Sequence, residues 1–167
     1  MDQAFSGAVN TIQSRPLVIT SDWTGTLSDI YWENFELLEF LSDAREAGHR
    51  VIITSSAADM AMMPLHLEMM TLIGRGKGYH LIEPDQYEII RKVDLKAMNF
   101  QSDYSFDDES IASQRISNYV TAALEIRVHP NYTTTPLLIE HLRALCLLPK
   151  KDGGREQSAH APSPKAF

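Results

Sequence analysis

A chain of 167 residues, 44% hydrophobic and 22% charged, has room for one sizeable core, and no stretch of it reaches the ~20 apolar residues of a membrane span. With 22 acidic against 15 basic residues the formal net charge is −7, which argues against nucleic-acid or anionic-membrane binding across the whole surface. A single cysteine, Cys146, excludes an intramolecular disulfide framework, and an N-terminus without the basic and long apolar regions of a secretory signal points to a cytoplasmic compartment.

Residues 4–14 set Ala4, Phe5, Ala8, Val9 and Ile12 at the spacing of one helical face, which predicts a helical extension over 1–15. Pro16 ends it. The apolar run Leu17-Val18-Ile19 lacks alternation and predicts a strand buried on both faces, as in a parallel sheet. It leads into Asp22, at the strand end where open α/β sheets bind ligands, and Gly25 lets the chain turn sharply there. Residues 34–47 carry Phe35, Leu37, Leu38, Phe40, Leu41 and Ala44 on an amphipathic helix closed by Gly48. Val51-Ile52-Ile53 predicts a second buried strand ending in Thr54-Ser55-Ser56, so these elements make a right-handed parallel crossover.

A second helix is predicted over about 58–72, with a methionine stripe that reads as adaptable core and with Pro64 starting or kinking it. Gly74-Arg75-Gly76-Lys77-Gly78 reads as a flexible basic connector, since it lacks the preceding strand and following Lys-Ser/Thr of a phosphate loop. Tyr79-His80-Leu81-Ile82 and Glu88-Ile89-Ile90 are two candidates for the third strand, and residues 92–99 read as a charged connector. Tyr104-Ser105-Phe106 predicts a strand running into Asp107-Asp108. A helix over about 110–124 and a last strand, Ile126-Arg127-Val128, follow. Thr135 and Pro136 open a final helix through Leu148, in which Cys146 is a small core residue. The domain thus spans 16–148, and the polar segment 149–167 reads as a disordered tail.

Taken singly, a strand-end Asp, Ser or Thr most often caps a turn or helix, and a lysine is most often solvated. Here they recur in a set. The string Asp22-Trp23-Thr24-Gly25-Thr26-Leu27 resembles the first motif of the haloacid-dehalogenase superfamily, usually Asp-x-Asp-x-Thr-Leu, in the Asp-x-Thr-Gly-Thr-Leu form of P-type ATPases. Thr54 or Ser55, then Lys92, then the Asp107-Asp108 pair follow in the chain order of the other three motifs. The resemblance implies a Rossmann-like, three-layer α/β fold with a central parallel five-stranded sheet. In that sheet the first strand lies between the strands ending in Thr54 and Asp107. Too few residues separate Leu27 from the first helix for a sizeable cap domain.

The same resemblance implies a magnesium-dependent phosphohydrolase acting through an aspartyl-phosphate. Asp22 would be nucleophile and metal ligand, Thr24 would offer its backbone carbonyl to Mg2+, and Asp107 and Asp108 would complete the metal site. A hydroxyl from Thr54 or Ser55 and the Lys92 ammonium would hold the phosphoryl oxygens. Counting from Gly48 selects Ser55, whereas the Thr-Ala-Ser pattern of capless carboxy-terminal-domain phosphatases selects Thr54; Lys77 and Lys96 compete with Lys92. Thr24 replaces the Asp that serves related phosphatases as acid and base, which leaves open a slow phosphatase, a phosphotransferase or a non-catalytic regulatory module on the same scaffold. An open site suits a phosphorylated macromolecule, or a small molecule closed over by a neighbouring subunit of a homo-oligomer.

Overall fold

Five parallel strands make one sheet in the computed structural model, which describes residues 15–29, 32–56, 60–108, 121–128, 136–146 and 148. In chain order the strands are β1 (Val18–Asp22), the short pair β2 (Ser28–Asp29) and β3 (Trp32–Glu33), β4 (Arg50–Ser55), β5 (Glu88–Arg91), β6 (Gln101–Asp107) and β7 (Thr121–Arg127). The sheet order is β5-β4-β1-β6-β7, with β2 and β3 forming a separate antiparallel hairpin. β1 therefore lies at the centre. Asp22 is in register with Thr54 on one side, and Ser21 with Phe106 on the other, so three strands end at nearly the same level.

The helices are α1 (Phe35–Glu46), α2 (Met63–Gly76), α3 (Lys92–Ala97) and α4 (Pro136–Leu145). The right-handed crossover rule sets α1 and α2 on one face as the chain steps from β1 to β4 to β5, and α3 on the other as it returns to β6. Burial agrees with this layout. Ile19, Ile53 and Phe106 share the main core with α1, while Ile52 and Leu95 of α3 are fully buried outside that cluster. The result is an α/β fold of Rossmann-like layout. No helix among the described residues is long and apolar enough to cross a membrane.

α1 starts because Asn34 caps it, its side chain accepting the Leu37 N–H and donating to the Thr26 carbonyl. Its apolar face packs on the sheet, with Phe40 edge-on to Phe106 at 5.8 Å. The opposite side is covered too. Glu39 accepts the His80 N–H, and Arg143 of α4 reaches the buried Asp43 carboxylate at 2.6 Å. His49 ties the base of the sheet: Nδ1 accepts the Leu17 N–H, and Nε2 donates to the Cys146 carbonyl.

Several elements differ from the sequence reading. The second helix begins at Met63, with Pro64 in its first turn, and continues through Gly74, Arg75 and Gly76, which had read as a loop. A β-carbon on Gly74 would lie 2.9 Å from a Phe35 ring atom, so glycine is there to let α2 approach α1 and not to break the helix. The third strand is Glu88–Arg91; Tyr79, Leu81 and Ile82 are buried without joining the sheet. The supposed connector after it is α3, anchored by the fully buried Leu95. Thr121–Leu124, expected to close a helix, belong to β7 and pair with β6, tertiary pairing overriding the helical preference of Ala122, Ala123 and Leu124. Only part of the methionine stripe is core: Met63 and Met70 are buried, while Met62 and Met69 are each 52% exposed. The expected helix over 4–14, the segment 110–120 and the tail lie outside the described residues.

Candidate functional site

The carboxyl ends of β1, β4 and β6 carry the site. β1 delivers Asp22, 5% exposed, to the edge of the sheet. The loop beyond it is held by its own backbone: Trp23 N–H donates to the Thr54 carbonyl, and the Trp23 carbonyl accepts from Leu27 and Ser28. Gly25 makes this turn at φ +83°, and a side chain there would run into the Asp108 carboxylate. Both the turn and the close approach require glycine.

Asp107 ends β6, and Asp108 follows it. Oxygens of Asp22, Asp107 and Asp108 all lie within 4.8 Å of one another. Lys92, the first residue of α3, points its ammonium between two of them, 2.9 Å from Asp22 Oδ1 and 3.5 Å from Asp107 Oδ2. Thr26, fully buried, donates its hydroxyl to Asp22 Oδ2 at 3.2 Å and lies 3.5 Å from Asp108 Oδ1. The Arg127 side chain at the end of β7 donates to the Asp108 carbonyl at 3.3 Å.

Electrostatics follow from this crowding. Burial pushes the Asp22 carboxyl up, the Asp107 charge adds to the shift, and Lys92 pulls it back, leaving the group at about 7. Burial works against the Lys92 ammonium, but Asp22 and Asp107 outweigh it and hold its pKa above the ordinary lysine range. Three carboxylates thus face one ammonium at this edge. Their hard oxygen donors suit a divalent cation such as Mg2+ or Ca2+. Ligand oxygens ~2.1 Å from a shared Mg2+ lie roughly 3.0 Å apart when adjacent and roughly 4.2 Å when opposite, so the three groups, within 4.8 Å of one another, could converge on such an ion by rotating inward.

The residues read from the sequence fall as follows. Asp22, Lys92, Asp107 and Asp108 come together at these distances, whereas the Lys77 ammonium sits 5.1 Å over the Phe35 ring. Thr54 and Ser55 are both buried at the end of β4 beside Asp22, and the Thr54 hydroxyl points back to the Ser21 carbonyl at 3.4 Å. Thr24 bridges to Ser28 and leaves its side chain exposed. Thr26 had no role in the sequence reading, although its place four residues after Asp22 in the same string was a signal. A cleft of about 490 Å³ between Thr24, the β2–β3 hairpin and α2 had no signal short of the tertiary fold. A second group brings Asp43 and Glu46 of α1 to His80, in the segment after α2, where Arg143 already pairs with Asp43 and the His80 ring with Glu46.

Comparison with protein-family models, with curated proteins and with solved structures gives no match to this chain.

Proposed function

We propose that the chain is a magnesium-dependent phosphohydrolase of the haloacid-dehalogenase type, without a sizeable cap, acting through an aspartyl-phosphate on Asp22. The observation that carries this reading is the meeting of Asp22, Lys92, Asp107 and Asp108 at the end of the central strand of a parallel sheet. A buried carboxylate held between an ammonium and a hydroxyl is oriented for attack, which a turn-capping Asp does not need.

Asp22 supplies the nucleophile: a carboxylate oxygen forms a bond to phosphorus as the bond from phosphorus to the leaving oxygen breaks. Thr26 fixes the orientation of that carboxylate by donating to Oδ2. Lys92, 2.9 Å from the other oxygen, meets the negative charge of the transferring phosphoryl group. Thr54 and Ser55 end β4 beside Asp22; the Thr54 hydroxyl, which donates to the Ser21 carbonyl, would have to turn from that bond to serve a phosphoryl oxygen. Asp22, Asp107 and Asp108, with the Thr24 carbonyl, are the residues that would hold Mg2+, whose charge neutralises the phosphoryl oxygens when bound. Water then attacks phosphorus, releasing inorganic phosphate and restoring Asp22.

Thr24 favours a second reading. An exposed threonine cannot protonate a leaving group or activate water, so the same pocket also suits a module that binds phosphate without turnover. Incubation of the protein with Mg2+ and an aryl phosphate, comparing wild type with Asp22→Asn, separates the two. The phosphohydrolase reading expects turnover that falls at least ~10³-fold in the variant. Absence of turnover with Mg2+ and other divalent metals selects the binding module.

A further inference from the structure

The face of α2 turned away from the sheet is apolar. Met62, Leu65, Met69, Leu72 and Ile73 follow at helical spacing, each between 43% and 69% exposed. Scattered apolar residues are ordinary on a surface, but a contiguous ridge of five marks an interaction site. Its unbranched methionines can repack against differing side chains.

A cleft flanks the ridge on either side. The one of about 490 Å³ runs from Met62, His66 and Met69 to Trp23 and Thr24, on the loop that follows Asp22, and Glu33 of β3 lines it. The other, about 370 Å³, lies towards the turn at Pro84–Gln86 and is lined by Glu68, Leu72, Glu83 and Asp85. Arg75 also lines that cleft, but its guanidinium is held by the Leu81 carbonyl and Glu83. Carboxylates therefore border the apolar ridge on both sides, in a chain whose formal charge is −7.

We infer that this ridge docks a basic, amphipathic segment of a partner polypeptide, and that the segment carries the phosphorylated side chain to Asp22. Its second half rests on the phosphohydrolase reading. Apolar side chains at helical spacing would lie along α2, while lysines or arginines at their flanks reach the carboxylates in either cleft. A second copy of this chain is the poorer occupant. A two-fold contact through the ridge would set Glu68 and Asp85 of one copy among those of the other, like charge against like charge.

The probe is a fluorescein-labelled, 18-residue peptide of leucine and lysine patterned as an amphipathic helix, titrated with the full chain in physiological salt. Binding is expected, with an affinity at least tenfold weaker for Leu65→Ser/Leu72→Ser and for Glu68→Lys/Asp85→Lys, all exposed positions. The matching leucine–glutamate peptide should not bind wild type. Failure of the leucine–lysine peptide to bind, or equal binding to the serine variant, overturns the docking surface. So does a wild-type dimer in sedimentation that the serine variant converts to monomer. Hydrolysis is measured separately, with a phosphotyrosine (itself an aryl ester) at the centre of the same peptide, and should exceed that of phenyl phosphate at least tenfold in kcat/KM. Peptide binding with neither phosphate cleaved removes the phosphohydrolase reading and keeps the docking surface. Aryl phosphate turnover without peptide binding does the reverse.

Discussion

Thr24 is the residue on which the chemistry of the edge turns. Its neighbour Asp22 has the burial, the lysine and the hydroxyl that a nucleophile needs, yet nothing ionisable stands at the exposed position two residues on. If transfer to Asp22 takes place without general acid–base help, a step worth ~10²–10⁴-fold is missing. Aryl phosphates, whose leaving groups need no proton, should then be cleaved far better than alkyl phosphates. The aspartyl-phosphate should lose phosphate slowly, giving a burst in rapid-mixing experiments. Thr24→Asp should accelerate both stages and abolish the burst; an unchanged rate with no burst in wild type would show that this position lies outside proton transfer. Asp22, Lys92 and the Asp107-Asp108 pair were grouped in the sequence by the resemblance, and their meeting follows because ends of apolar runs converge in a parallel sheet. Thr26 was not, because a threonine inside a turn looks the same whether it faces solvent or, as here, bridges towards two carboxylates.

At the scale of elements, α2 shows how glycine misleads. Gly74 and Gly76 made residues 74–78 look like a loop, yet both lie in the helix and for different reasons. At Gly74 a β-carbon would press on Phe35 and Leu81; at Gly76 it would meet nothing within 4 Å. Gly74→Ala should therefore destabilise by about 1–3 kcal/mol, overpacking outweighing the gain in helix propensity. Gly76→Ala should stabilise by up to ~1 kcal/mol. Urea unfolding midpoints measure both, and the opposite order would place the packing elsewhere. α3 escaped notice because six residues hold too few turns for periodicity, and only the burial of Leu95 identifies its inner face. β7 was misread over its first four residues because an Ala-Ala-Leu run has no strand signature of its own; it extends because β6 lies alongside. The long amphipathic α1 and the apolar β1 and β4 were plain, since their patterns fill several turns or one continuous run.

For the whole molecule, the end of the sheet opposite Asp22 carries its own electrostatic tie. Burial alone would raise the Asp103 carboxyl, but the Arg15 guanidinium and the Val18 N–H, each at 2.8 Å, hold it below the usual range. A carboxyl lowered in the folded state stabilises fully above its unfolded value near 4, and that stabilisation is lost as pH falls through the folded value. Asp103→Asn should thus cost on the order of 1 kcal/mol at neutral pH, and its unfolding midpoint should converge on that of wild type in acid. Parallel curves at every pH would show the charge to be idle. The centre of the sheet order was legible through the resemblance, which implied the first strand between those ending in Thr54 and Asp107, while the right-handed rule alone left the third strand open between two candidates.

β1 at the centre has a consequence for how the protein comes into being. Asp22 belongs to the first of the described strands, whereas Thr26 and Asp108 are 82 residues apart in the chain, and the lysine arrives only with α3. No two neighbouring strands of the main sheet are joined by a tight hairpin, so every ladder closes a long loop before it gains its hydrogen bonds. A nascent chain on the ribosome therefore carries Asp22 long before the groups that surround it, and the cluster is incomplete until β6 emerges and pairs with β1. If the proposed function holds, capture of a phosphate mimic at that edge would report the finished polypeptide and none of its precursors.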